Sequence, residues 1–250
     1  MSNSFTSYKF FVKGTDCDVN DEILLNNLVG YMQEAADISA SEMGLDALVL
    51  NKNNWCWLII STKIRINRLP RWRENIEIRT WSRGINRVFW EREYEILSSE
   101  GEVLCEATSN WIIADWSTHH PVIPSREEFF NSDYVMNERR LFSEDLLRLR
   151  APKFESLNLT PVIIKYADYS ELDRNRHVNN SRYLAWFEDA MHKCDIDIKS
   201  IGEFTIEYQS EVKEGSKVSI YVIDEDNFKT VIGYNNNNEA SFIIKVELKY

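Results

Sequence analysis

Hydrophobic residues along this chain change their period in a fixed order, and the order occurs twice. Apolar side chains recur at Leu25, Leu28, Val29, Met32, Ala35 and Ala36, the i, i+3, i+4, i+7 spacing of one helical face. Gly44 stands just beyond, where a helix would stop. A short strand over 8–12 precedes this helix, and strand-like runs follow at 57–66, 76–81, 87–97 and Val103–Asp115. Ser98, Ser99, Glu100 and Gly101 supply a hairpin turn between the last two. The second half starts again with a strand over 162–169 and a helix carrying Tyr183, Leu184, Phe187, Ala190, Met191 and Cys194 on one stripe. Strands at 204–210, 217–223, Phe228–Tyr234 and Ala240–Leu248 complete it, the last alternating through Ala240, Phe242, Ile244, Val246 and Leu248.

A long helix followed by a meander of strands is an α+β layer, the helix covering one face of an antiparallel sheet. Two such units are expected, over 1–124 and 162–250, lying side by side as a pseudo-dimer in one chain. The polar stretch 125–161 joins them, with a short helix expected around 144–150; its length implies a connector that wraps across the surface.

Composition narrows the setting. A chain of 250 residues with 44% hydrophobic and 12% aromatic content can bury a real core. No run of about 18 apolar residues offers a membrane span, and 1–11 lacks the apolar core of a signal peptide. Cys17, Cys56, Cys105 and Cys194 lie far apart with no CxxC pair, a poor disulfide framework and a poor zinc site. The cytoplasm is the expected compartment. Asp16, Asp18 and Asn20 resemble the start of a calcium loop, but Asp21 replaces the needed glycine and Asn27 the final glutamate. No metal or cofactor is expected. A net charge of −11 argues against nonspecific nucleic-acid binding. Within it lies a basic island, Lys63, Arg65, Arg68, Arg71, Arg73, Arg79, Arg83 and Arg87, facing only Glu74 and Glu77 along that stretch. Such an island can dock an acidic partner; it is equally the solvent side of two strands, because Lys63, Arg65 and Asn67 alternate with Ile64 and Ile66.

Candidate chemistry concentrates in one stretch. Asp173, Asn175 and His177 stand at alternate positions of an extended segment leading into the second helix, so their side chains project to one side. Taken singly, each has a plain explanation: aspartate caps turns, and a histidine in a loop is ordinary. Matching the halves separates them. Asp18 matches Asp173 and Asn20 matches Asn175, but Glu22 falls where His177 stands. Ile64 and Ile66 match Ile206 and Tyr208, which sets Leu69 against Glu211 and Pro70 against Val212. Only the second half holds the full polar set. His119, His120 and His192 have no carboxylate at suggestive spacing and receive no role, and Cys194 reads as a buried apolar position.

The array Asp-x-Asn-x-His-Val-Asn-Asn-x-x-Tyr-x-x-Trp, from Asp173 to Trp186, closely resembles the signature of acyl-acyl-carrier-protein thioesterases, and Ile206-Glu207-Tyr208-Gln209-Ser210-Glu211 resembles that family's second motif. The doubled layout resembles its tandem hot-dog domains. The resemblance implies catalytic positions at Asp173, Asn175, His177 and Glu211, and an acyl pocket lined largely by the first half. It also implies acyl carrier protein as the partner bearing the substrate. Plant members carry a cysteine after the second motif's glutamate; here stands Val212, so no thiol attack can be required. The thioester carbonyl is expected near Val178, Asn179 and Asn180, where a helix start offers free N–H groups; Asn179 and Asn180 are also expected to cap the helix. Two routes fit, attack by Asp173 or attack by water activated by Glu211 or His177. Carrier proteins are acidic, so the island, with Arg71 and Arg73, is the expected docking surface. An acyl-CoA thioesterase and a noncatalytic acyl-binding protein are the competing functions, and an exposed sheet edge leaves room for a homodimer.

Overall fold

Two long helices lie on one face of a single antiparallel sheet, and the repeat in sequence is a repeat in space. The computed structural model describes residues 5–123, 136–225 and 228–249. Repeat one runs β1 (Thr6–Phe11), α1 (Leu25–Glu42), α2 (Ala47–Lys52), β2 (Trp55–Ile66), β3 (Asn75–Asn86), β4 (Phe89–Ser98), β5 (Val103–Asp115) and β6 (Pro121–Val122). Repeat two runs β7 (Ile163–Tyr166), α3 (Arg182–Lys193), β8 (Ile201–Tyr208), β9 (Lys217–Glu225), β10 (Phe228–Tyr234) and β11 (Ala240–Leu248). Strand order is β1-β3-β4-β5-β2-β8-β11-β10-β9-β7, with β6 paired to β5. Read outward from the centre, the two repeats have the same order. They join through β2 and β8, antiparallel from Ser61 opposite Glu207 to Arg65 opposite Glu203.

The helical stripes form as their spacing requires. Leu25, Leu28, Val29, Met32, Ala35 and Ala36 are buried on α1, and Tyr183, Leu184, Phe187, Ala190 and Met191 on α3, within one apolar cluster that also takes in Ile64, Ile78, Ile206 and Phe242 from both halves of the sheet. Each fully buried large side chain contributes about 1.5–3 kcal/mol. Gly44, at φ 75, ends α1 in the left-handed conformation glycine adopts freely. Cys194 is only half-buried, because it lies at the C-cap of α3 instead of within its stripe. Helix α2, too short to show a period, is started by Asp46, whose side chain accepts from the Val49 N–H at 2.8 Å.

The start of α1 is satisfied from the other repeat. Its Leu25 N–H donates to Glu188 Oε1 of α3 at 2.8 Å, and Glu188 is buried. Burial pushes the Glu188 carboxyl from 4.5 up to about 8, against the two backbone N–H groups that pull it down. The folded chain therefore holds a proton that the unfolded chain has lost between about pH 4.5 and 8, and stability falls as pH rises through that window. Glu188→Gln, which copies the protonated form, is expected to flatten that fall. Thermal melts of both proteins at pH 5 and pH 9 check it; equal losses of Tm would exclude a protonated Glu188.

The connector's first part, 125–135, lies outside the described residues. The expected helix at 144–150 is absent; this stretch is irregular, and within it the Leu149 backbone bonds to side chains of the sheet and its edge. Trp81 Nε1 donates to the Arg139 carbonyl at 2.9 Å, the Leu149 N–H to Glu207 Oε2 at 2.6 Å, and Tyr234 Oη to the Pro152 carbonyl at 2.6 Å. Phe142 is buried beneath Lys63 and Arg65. The described part of the connector thus lies across the sheet face opposite the helices.

Candidate active site

The polar array begins as a turn that both repeats build. Asp173 Oδ1 accepts from the N–H groups of Asn175 at 2.7 Å and His177 at 3.3 Å, while the Asp173 N–H donates to the His177 carbonyl at 2.8 Å. In repeat one Asp18 Oδ1 accepts from Asn20 at 2.8 Å and Glu22 at 3.0 Å, and the Asp18 N–H donates to the Glu22 carbonyl at 2.7 Å. Arg176 and Asp21 occupy the same left-handed position, at φ 61 and 62. Turn-capping is therefore a property of the fold, and it uses one carboxylate oxygen of Asp173. The other is free among the described residues.

A second shared contact fixes Glu211. The Val178 N–H donates to the Val212 carbonyl at 2.8 Å, as Ile23 does to Pro70 at 2.9 Å. This tie brings the end of β8 against the turn, placing Glu211 Oε2 3.3 Å from His177 Nε2. Leu69 holds the corresponding place in repeat one, so the sequence match of Leu69 with Glu211 is also a match in space.

The other oxygen, Glu211 Oε1, lies 3.0 Å from His119 Nδ1, and the two imidazoles stand 6.1 Å apart, edge to face. His119 received no role from sequence; the structure corrects that. It reaches repeat two's cluster from the turn between β5 and β6. Asp115 staples this turn, its Oδ1 accepting from the N–H groups of Ser117 at 3.0 Å and Thr118 at 2.9 Å. An aspartate-capped turn carrying His119 and His120 was the available signal, but nothing local says what the turn faces.

Of the three positions expected to bind the carbonyl, two have already used their N–H groups. Val178 bonds Val212, and Asn179 bonds the Glu171 carbonyl at 2.8 Å. Asn180 N–H alone of the three has no acceptor among the described residues. Asn179 Oδ1 accepts from the Ser181 N–H at 2.9 Å, in the turn that leads into α3, whose own N-cap, Ser181, makes no side-chain cap. The Asn180 side chain caps nothing either: its Nδ2 is buried beside the Tyr208 hydroxyl.

A cavity of about 530 Å³ opens at this point, bordered by Asp173, Asn175, Asn179 and Asn180 on the repeat-two side. It follows α1 from Gly30 to Met43, about 20 Å at a rise of ~1.5 Å per residue. Of the tryptophans concentrated in the first half, Trp57, Trp90 and Trp111 reach it. Trp81 is instead core, and Trp72 and Trp116 are exposed. Near Met43 the wall holds buried Arg92, bonded to Thr80 Oγ1 at 3.2 Å and Met43 Sδ at 3.7 Å. Asp173 also borders a second cleft, with Arg176 and Lys213.

Arg71 and Arg73 stand apart from this cluster. Arg71 pairs with Glu22, the counterpart of His177, at 3.2 Å, and Arg73 stacks on Trp72. Much of the basic island is matched by carboxylates remote in sequence, as in Lys63 with Glu203, Arg65 with Glu106 and Arg68 with Glu102.

Comparison with known proteins follows the same division into repeats. Residues 3–129 match the acyl-ACP thioesterase N-terminal domain and residues 160–249 its C-terminal domain. The chain is 24% identical to oleoyl-acyl carrier protein thioesterase 2, chloroplastic, of Arabidopsis thaliana, over 96% of this chain and 68% of that protein. It is 25% identical to the chloroplastic palmitoyl-acyl carrier protein thioesterase of Gossypium hirsutum, over 93% of this chain and 58% of that one. The crystal structure of an acyl-ACP thioesterase from Bacteroides thetaiotaomicron superposes with a TM-score of 0.84 at 23% identity, covering 98% of both chains. The 12:0-ACP thioesterase from Umbellularia californica gives 0.77 at 18% identity, over 98% of this chain and 97% of that one. At these identities the structures establish a common fold, the tandem hot-dog arrangement. No helix among the described residues is long and apolar enough to cross a membrane.

Proposed function

The chain belongs to the acyl-ACP thioesterase family, and from that premise we propose that it hydrolyses fatty acyl-acyl carrier protein at Asp173, releasing free fatty acid and ending chain elongation. The observation that carries the residue assignment is the convergence of Glu211 and His177 beside a long cavity that Asp173 and Asn175 border.

In this reading the acyl chain lies along α1 with its carbonyl at the start of α3. The free oxygen of Asp173 attacks the carbonyl carbon, and the C=O electron pair moves onto oxygen, which faces the Asn180 N–H and the positive end of the helix dipole. Collapse breaks the C–S bond. The departing sulfur takes a proton from His177, whose protonated form Glu211 stabilises. Water then attacks the mixed anhydride, returns a proton to His177, and Asp173 leaves as carboxylate. Asn175, whose amide both donates and accepts, orients the water. Val212 occupies the position after Glu211 and is buried, so no thiol takes part there.

The carrier docks on exposed cations, and two groups compete for the part. Arg71 and Arg73 are those the sequence suggests; Arg176 and Lys213 flank Asp173 itself. Raising salt is expected to slow turnover of acyl carrier protein more than that of the matched acyl-CoA, because screening weakens exposed charge pairs. Charge reversal at Arg71 with Arg73, compared with reversal at Arg176 with Lys213, identifies the surface by which pair removes the salt effect. Faster release from acyl-CoA than from the carrier would transfer the activity to the CoA thioester, and tight acyl binding without release would leave a binding protein. The four cysteines are free, which supports a reducing compartment such as the cytoplasm. Because β2 and β8 already join the repeats, a homodimer would form at the β1 or β7 edge.

A further inference from the structure

Helices α1 and α3 begin alike, yet only one of the two starts is filled. The Leu24 N–H donates to the Asp16 carbonyl at 2.9 Å, as Asn179 does to Glu171 at 2.8 Å; the Asn27 N–H donates to the Leu24 carbonyl at 3.0 Å, as Arg182 does to Asn179 at 2.8 Å. Leu25 therefore corresponds to Asn180, and by the same register Gln33 of α1 corresponds to Glu188 of α3. In repeat one an oxygen of Glu188 sits 2.8 Å from the Leu25 N–H. In repeat two the Asn180 N–H has no acceptor among the described residues, and Gln33 Nε2 is buried without a partner. Both residues border the acyl cavity.

The difference is chemical. A carboxyl group at position 188 brings an oxygen to its helix start and closes that site. A carboxamide at position 33 offers a nitrogen that is buried and unpaired, and by the same register it belongs beside the open Asn180 N–H, two donors where the twin site pairs a donor with an oxygen. Leaving a buried donor unmatched costs about 1–3 kcal/mol, a cost that a substrate oxygen removes. The start of α1 thus holds, in Glu188 of α3, a built-in likeness of the bound carbonyl.

We propose that Gln33 is a catalytic residue supplied by repeat one, whose Nε2 acts with the Asn180 N–H to bind the thioester oxygen as it becomes an oxyanion. This rests on the hydrolysis proposed above. It also explains why the catalytic half needs the other: the donor comes from α1, across the interface between repeats.

The test uses the full chain and a fatty acyl carrier protein of the chain length that the unaltered enzyme releases fastest. Gln33→Ala is expected to lower kcat by ~100-fold or more, the usual effect of losing one oxyanion donor, with KM changed only a few-fold. Gln33→Glu, which keeps the shape, is expected to lose at least as much, because it closes the site as Glu188 closes its twin. Melting temperatures close to that of the parent establish that either loss is chemical. An unchanged kcat in both variants, a rise in KM alone, or a faster Gln33→Ala enzyme would each overturn the assignment. If the unaltered enzyme releases no fatty acid, the hydrolysis itself fails and this role fails with it.

Discussion

Glu211→Gln is expected to lower steady-state release of fatty acid from acyl carrier protein by at least ~100-fold and to leave an acyl group bound to the enzyme. Glu211 touches His177 Nε2 through one oxygen and His119 Nδ1 through the other, so it holds charge beside both imidazoles. A glutamine keeps the shape and removes the charge. Expulsion of sulfur asks least of that charge, because a thiolate leaves readily; attack of water on the anhydride asks most, because a proton must be taken from a weak acid. The second step should therefore slow more than the first, and the intermediate should accumulate. Acid quenching followed by peptide mass analysis should find the acyl mass on the peptide containing Asp173. Lost turnover with no adduct would favour direct attack by activated water. Undiminished turnover would remove Glu211 from the mechanism.

The fold was legible where it depends on period. Strands Val103–Asp115, Phe228–Tyr234 and Ala240–Leu248 form at the bounds expected of them, and both helical stripes are buried as their spacing implied, except Cys194 at the C-cap of α3. Glu211 was legible from its place at the end of the second motif, and laying the two halves against each other, with Leu69 in its place, showed that the first half lacks that carboxylate. What escaped was every contact fixed by sheet register between residues far apart in the chain. His119 meets Glu211 only because the β5–β6 turn lies over the end of β8. Lys63 meets Glu203 because β2 pairs with β8, so a run of cations that looked unmatched along the chain is matched across the sheet. The connector misled for a related reason: its helical appearance was local, while its hydrogen bonds go to Glu207, Tyr234 and Trp81. Backbone donors were the hardest to read, since the tie from Val178 to Val212 consumes an N–H that the motif alone leaves open.

Asp173→Asn should abolish turnover, to ~1% or less of the parent rate, in a chain that still folds normally. The fold itself supplies the control. Asp18 and Asp173 cap the same turn with the same bonds, Oδ1 to the N–H groups two and four residues on. Asparagine caps about as well as aspartate, so neither Asp18→Asn nor Asp173→Asn should shift Tm much. A carboxamide oxygen does not attack a thioester, however. If the second oxygen of Asp173 is the nucleophile, the two substitutions must part company: Asp18→Asn should keep its rate within about threefold, less than one kcal/mol of barrier, while Asp173→Asn should not turn over. Alanine at either position removes the cap as well, for roughly 1 kcal/mol of stability, and so measures the turn separately from the chemistry. Equal, small losses of rate for the two asparagine variants would mean that Asp173 only shapes the loop, as Asp18 does. The attacking oxygen would then have to come from water held by His177 and Glu211.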